Sequence, residues 1–467
     1  MALSRDQIVK VVSRYRGIVD EWEAFLEALL RPLPRVVWHN PLKIDASRFE
    51  SILREEGIPF SRIGWTPGAY RLHREIDLNR AWWYRAGLAH AQEEASLLPV
   101  KLLDPKPGER ILDLCAAPGG KTAQIAVALE NRHTVVANDV HWQRLRSLRA
   151  NLERLGLLNV SITLQDGSTY PDAAGPFDRV LADVPCSCEG TLRRVNSQLP
   201  FGEEISRSYA QKQLAILKRA VALCRPGGRI VYATCTFAPE ENEWVVSQLL
   251  KSSGRDLRLL PIAVPGLRLS PALPSWRGER FHPEIEKAVR LWPHQNDTGG
   301  FFVALLEKSP EAAAPRSGTA LLREIPAPEV ARWLLEWHAI PPHALSGIIP
   351  HRRTGRGLHF APVDHRPPKR PKPELLGLIL LRTTTRPPKI STEGASLLGH
   401  LATRQLVDLK EGQLAPYLGR ETFPLAEEQW RELEEGYVIV RYRGFGLGTG
   451  RFRKADRRLC SLFPKEG

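Results

Sequence analysis

ILDLCAAPGGKT (111–122) is the stretch that decides the fold. An apolar run, ILDLC, breaks at a Pro-Gly-Gly loop, and KTAQIAVALE resumes with apolar residues at helical spacing. A strand, a glycine-rich loop and a helix open a parallel α/β unit, in which the carboxyl end of the strand faces the ligand crevice. Four further strand-like runs follow: HTVVAND (133–139), VSITLQD (160–166), FDRVLADVP (177–185) and GRIVYATC (228–235). The helical patterns HWQRLRSLRANLERLG and AQKQLAILKRAVALC lie between them, and FFVALLEK (301–308) adds a late strand. This alternation predicts an α/β domain whose parallel sheet is covered by helices on both faces. The loop is not G-x-G-x-x-G, so no dinucleotide pyrophosphate is indicated, and it is not GxxxxGK[ST] either.

Working outward, residues 1–75 mix two helical segments, QIVKVVSRY and EWEAFLEALL, with a strand in PRVVWHNPLKI and a helix in ASRFESILREEGI. They predict a small α+β domain, followed by the α/β domain over 76–310. Residues 311–374 read as a Pro/Arg-rich linker. Its joints are SPEAAAPRSG and HRPPKRPKPE, and a short helix, PEVARWLLEWHA, lies between them. Residues 375–467, with GLILL, YVIVRYRG and CSLF, predict a small, mostly β terminal domain.

The chain has 467 residues, of which 43% are hydrophobic and 25% charged, which excludes a largely disordered protein. It has no run of 18 apolar residues, and its first residues lack the uninterrupted apolar segment of a signal peptide, so no membrane is expected and the cytoplasm is the expected compartment. Lys plus Arg is 66 against 52 Asp plus Glu, a net charge of +14, and arginine supplies 50 of the 66. Such a balance points to a polyanionic partner, most simply nucleic acid. Six cysteines in this length are too sparse for a disulfide scaffold. The CxC at 186–188 is not followed by a second pair at zinc-finger spacing, so no metal site is expected.

Several residue types converge at the strand ends. Asp139 ends the second strand 26 residues after Asp113, where a carboxylate accepts ribose hydroxyls or else caps the next helix. Asp166 ends the third strand in the same way. So many carboxylates disfavour phosphate, and a nucleoside carried on a cation fits better. DVPCSCEGTLRR (183–194) and YATCTFAPEENE (232–243) bring Cys186 and Cys235 into the same crevice. Two such cysteines are buried packing, a redox pair, or a nucleophile with a helper. The prolines and glycines beside them argue against plain packing.

CAAPGGKT, DVPCSCEGT, ATCTFAPEENE and PHQNDTGGFFVALLEK (293–308) together resemble, in order, the motifs of the NOL1/NOP2/Sun family of RNA cytosine-5 methyltransferases. The first domain is similar to that family's RRM-like domain, and GYVIVRYRGFGLGTGRFR resembles the PUA-like tail of its bacterial 16S ribosomal RNA branch. The resemblance implies a Rossmann-like core and S-adenosylmethionine (SAM) as methyl donor. It implies that Cys115, Ala116, Ala117, Pro118, Gly119, Gly120 and Lys121 hold the methionine end, that Asp139 binds the ribose, and that Asp166 faces the adenine. Asp183 would lie between donor and base, Lys121 would position it, Cys235 would be a nucleophile of lowered pKa, and Cys186 would help release the product. The expected partners are RNA, ribosomal or else transfer, and the small ribosomal subunit, with the enzyme a monomer. The rival of another class is a non-catalytic RNA-binding assembly factor. Cys188 stands where the family has Gly. The tracts 351–372 and 441–458, each with seven Lys/Arg against one acid, are candidate RNA contacts, with Tyr442, Phe445 and Phe452 as stacking residues in the second.

Overall fold

The computed structural model describes residues 4–194, 202–312, 319–383, 385 and 388–464; part of the first predicted joint, 313–318, lies outside them. The five predicted core strands form at Arg110–Asp113, Thr134–Asp139, Val160–Leu164, Phe177–Asp183 and Cys224–Thr234. All pair in parallel. The first strand lies between the second and the fourth, the third flanks the second, and the fifth flanks the fourth. The late strand Phe301–Lys308 joins the fifth antiparallel. The central strands read as continuous apolar runs because both faces are covered. Helices Gly120–Ala128 and Trp142–Leu155 pack through Ile125, Leu145, Leu148 and Leu152 on one face. Helices Glu203–Leu223 and Glu243–Ser253 pack through Ile216, Leu217, Val246 and Leu249 on the other. The strand order turns back between the first and fourth strands, so a crevice opens at their carboxyl ends.

The first domain is a four-stranded antiparallel sheet in the order Phe60–Arg62, Ala69–Leu72, Arg35–His39, Ala89–Ala91, with the helix Ala46–Glu55 against it. Its last strand lies beyond residue 75, so the sheet crosses the expected boundary. The boundary at 374/375 is crossed as well. Ile348–Thr354, Gly357–Pro362, Leu378–Arg382 and Lys389–Ile390 form one four-stranded sheet, and Leu375–Leu376 pairs with the third core strand. HRPPKRPKPE is therefore docked, not free. His365 is buried, with one ring nitrogen on Ser161 Oγ at 2.7 Å and the other on the carbonyl of His133 at 2.9 Å.

The tail is a five-stranded sheet built on Gly436–Tyr442 and Phe445–Arg453. Tyr442 and Phe452, read from sequence as stacking residues for RNA, are buried. Tyr442 meets Trp82 edge-on at 5.1 Å, Phe445 meets the same ring at 6.1 Å, and Arg443 pairs with Glu55. One apolar core contains Phe49, Tyr70 and Trp82 of the first domain together with Val407, Tyr417 and Phe452 of the tail. Burying two ends of the chain in one core stabilises each more than either small sheet can alone.

Candidate active site

A cavity of about 670 Å³ lies at the carboxyl ends of the first, fourth and fifth strands, a size suited to a small-molecule ligand. Cys115, Ala116, Ala117, Pro118, Gly120, Lys121, Asp183, Cys186 and Cys235 line it. Gly119, Asp139 and Asp166 are not among its lining residues. Gly119 sits behind the loop at φ 104°, and a Cβ there would lie 2.5 Å from Leu148 Cδ1, so only glycine lets helix and loop approach this closely.

Asp139 is buried and already committed within the protein. It accepts from Ala117 N at 3.2 Å and His141 N at 3.0 Å, and pairs with Arg144 at 3.3 Å. Arg144 also donates to the Ala117 carbonyl. Asp166 is exposed and accepts from the backbone N–H and hydroxyl of Ser168, which holds its pKa below the usual carboxylate range.

Lys121, in the first turn of its helix, donates to Asp183 Oδ2 at 2.7 Å and to Ser96 Oγ at 2.8 Å. Burial raises the Asp183 pKa, and the Lys121 charge opposes that rise. Asp113 is fully buried. Its Oδ2 accepts from Thr122 at 2.6 Å while its Oδ1 has no partner, and burial lifts it to about 7 against the Thr122 bond.

The sulfurs form a cluster. Cys186 Sγ is 3.4 Å from Cys235 Sγ and 3.9 Å from Cys188 Sγ. Hydrogen bonds from Cys186 and Cys235 favour the Cys188 thiolate and lower it to about 4. Cys186 is correspondingly raised, by its bonds to Cys188 and Cys235 and by burial. The Cys186 bond would lower Cys235, but Cys188 and burial prevail and push it up to about 12. The expected lowered Cys235 is therefore not found, because Cys188 and burial outweigh the Cys186 bond. Cys188 has φ 59°, the left-handed conformation its glycine counterpart adopts freely, at a cost of about 1–2 kcal/mol for a residue with a side chain.

Close backbone approach holds the cysteine-bearing loops together. Gly190 N donates to the Cys235 carbonyl at 2.9 Å, and Gly300 N to the Gly190 carbonyl at 2.9 Å. A Cβ on Gly190 would lie 2.2 Å from the Gly300 carbonyl oxygen. Glu189 accepts from Tyr15 of the first domain, and burial raises its pKa to about 7. Gln92, Ser96, Arg144, Arg194 and Phe301 also line the cavity and were not singled out from sequence. Phe301, at the start of the late strand, and Arg194, at the end of DVPCSCEGTLRR, lay within motifs read from sequence.

Comparisons with known proteins follow the same division of the chain. Residues 100–307 match the model of the 16S rRNA methyltransferase RsmB/F family, and 404–466 match the methyltransferase RsmF PUA domain. The chain is 37% identical over 303 residues to the tRNA (cytosine(49)-C(5))-methyltransferase of Pyrococcus abyssi, covering 64% of this chain and 96% of that protein. It is 30% identical over 479 residues to Ribosomal RNA small subunit methyltransferase F of Aeromonas salmonicida, covering 95% of this chain and 93% of that protein. The crystal structure of a methyltransferase homolog protein from Pyrococcus horikoshii superimposes with a TM-score of 0.55 at 34% identity, covering 65% of this chain and 93% of that one.

Proposed function

The chain belongs to the RsmB/F family of RNA cytosine-5 methyltransferases, and from that premise we propose that it forms 5-methylcytidine in 16S ribosomal RNA through a covalent bond from Cys235 to the base. Ribosomal over transfer RNA is supported by extent. The similarity to the small-subunit enzyme runs through both outer domains, whereas that to the transfer RNA enzyme covers 64% of this chain. The reading includes a cytoplasmic monomer that acts on the RNA alone or within the small subunit.

The donor set suits SAM. The buried, unpartnered Asp113 Oδ1 at the cavity wall fits a cationic ligand, and the loop 115–121 exposes backbone to it. Residues 115–121 would hold the methionine end, Asp139 the ribose once Arg144 swings from it, Asp166 the adenine edge, and Asp183 would separate donor from base. When bound, SAM supplies an electrophilic methyl group on a sulfonium.

Cytosine C5 is a poor nucleophile until a thiolate adds at C6, which breaks the aromaticity and makes C5 enamine-like. Cys235 makes that addition; its raised pKa keeps it a thiol at rest, so its proton passes to solvent as the sulfur adds to C6. Asp183, held by Lys121, hydrogen-bonds the ring nitrogen and amino group as charge builds there. After methylation the C5 proton departs to the thiolate form of Cys186 or to a water beside it, the C6–sulfur bond breaks, and aromaticity returns. The observation that carries this reading is the 3.4 Å contact of the two sulfurs beside the Lys121–Asp183 pair. Cys235→Ala should abolish methylation. Cys186→Ala should accumulate a covalent RNA adduct, seen as a retarded band on a denaturing gel. An adduct that survives Cys235→Ala would make Cys186 the nucleophile.

A further inference from the structure

We propose that Cys186, Cys188 and Cys235 form a three-thiolate site for a soft divalent cation of the zinc class, which takes the catalytic sulfurs out of reach of RNA. The CxC spacing alone, with no second pair, gave no reason to expect a metal. The fold supplies the third ligand from the neighbouring strand end. The three Sγ atoms all lie within 4.8 Å of one another, with contacts of 3.4 and 3.9 Å. Tetrahedral coordination at a metal–sulfur distance of about 2.3 Å needs sulfurs about 3.8 Å apart. The cluster thus meets that requirement with small side-chain adjustments. All three cysteines line the cavity, whose volume leaves room for a water as fourth ligand.

Two further observations support the site. Cys188 holds a left-handed conformation that glycine would occupy without strain, and a strained residue at a site is the place to look for function. Electrostatics are also matched. Three thiolates on a divalent cation carry one net negative charge, and Arg194 lines the same cavity, where Lys121 is already paired with Asp183. As each thiol is bound its proton passes to solvent, and no electron is exchanged.

The metal site itself stands on geometry alone. The inhibition it would cause rests on the function proposed above, because only there do Cys235 and Cys186 carry the chemistry.

The test uses the full chain, reduced and freed of metal with a chelator, and titrated with Cd²⁺. The thiolate-to-cadmium absorption should saturate at one ion per chain. Thiols open to alkylation should fall by three, mapped by mass spectrometry to Cys186, Cys188 and Cys235. Cys188→Gly, which relieves the backbone, and Cys188→Ser, which keeps it as it is, should each weaken Cd²⁺ binding at least ~100-fold through loss of a ligand. Zn²⁺ should inhibit methylation by the wild-type chain at concentrations that leave Cys188→Gly unaffected. Equal Cd²⁺ affinity in wild type and both variants, or protection of Cys115, Cys224 or Cys460 instead, overturns the site. Cd²⁺ binding as expected in a chain that methylates no RNA would overturn the function and leave the site standing.

Discussion

Two ion pairs in the same domain, one buried and one half-buried at the cavity wall, are built differently. Arg290 and Glu243 form a closed fork. Arg290 Nε meets Glu243 Oε1 at 2.6 Å, a second nitrogen meets Oε2, and the side chains are 2% and 0% exposed. What capacity remains is used as well, since Arg290 donates to the Phe237 carbonyl and Glu243 accepts from Leu273 N. Lys121 and Asp183 share a single 2.7 Å contact, 11% and 29% exposed, at the wall of the cavity. The closed fork has nothing left to offer a ligand and fixes the loop that follows Cys235. The open point contact leaves its carboxylate free to be shared with a base. Arginine's rigid geometry suits the first task and lysine's compact mobile charge the second.

This contrast can be broken experimentally. Arg290→Met strands a buried carboxylate and should cost about 3–5 kcal/mol of stability in a denaturant titration. Adding Glu243→Leu should return much of it, because no unpaired charge is then left. A single variant that stays stable but loses methylation would make the fork part of the machinery. Lys121→Met should do the reverse. Its methylation rate should fall about 10²–10³-fold, or roughly 3–4 kcal/mol in barrier, while its melting temperature holds.

A smaller effect concerns Asp113, whose pKa is raised to about 7. A raised carboxyl pKa means that the folded state holds the proton more tightly than the unfolded chain. Without ligand, stability should therefore fall as pH rises from about 4 to 7 and level off above that. A cationic donor favours the ionised carboxylate, so SAM should bind about tenfold more weakly at pH 6 than at pH 8, with proton release visible by calorimetry in two buffers. Asp113→Asn should flatten that dependence. Least of all should follow from an exposed pair. Arg431→Ala, which removes the contact to Glu427 one helical turn away, should change stability by no more than ~0.5 kcal/mol.

The core was legible because its chemistry constrains residue type. A Pro-Gly-Gly turn after an apolar run has few structural meanings, and cysteines beside prolines at strand ends are poor packing. Arg144 and Ser96 were not legible, because a polar residue in a helix or a lead-in segment has no periodic mark; only its spatial neighbour, Asp139 or Lys121, gives it a role. The tail was read correctly as a small β domain, but two of its expected stacking residues, Tyr442 and Phe452, were misread for a different reason. Aromatic residues alternating with arginine in RYRGFGLGTGRFR mark the two sides of a strand, so burial of Tyr442 and Phe452 follows from the period of two. Their basic composition hid that sidedness, and the partner ring, Trp82, lies some 360 residues earlier. The boundary at 374/375 failed likewise, since GLILL pairs with a strand before the Pro-rich joint as well as with one after it.

The shared core of first domain and tail also sets the order of events during synthesis. The sheet of the first domain is complete at residue 91, yet the surface around Trp82 has no cover until residues near 442–463 leave the ribosome. At about 5–20 residues per second, that wait is roughly 20–70 s. For that interval the nascent chain carries an exposed aromatic patch, so translation stalled before residue 442 yields a polypeptide prone to chaperone capture and aggregation.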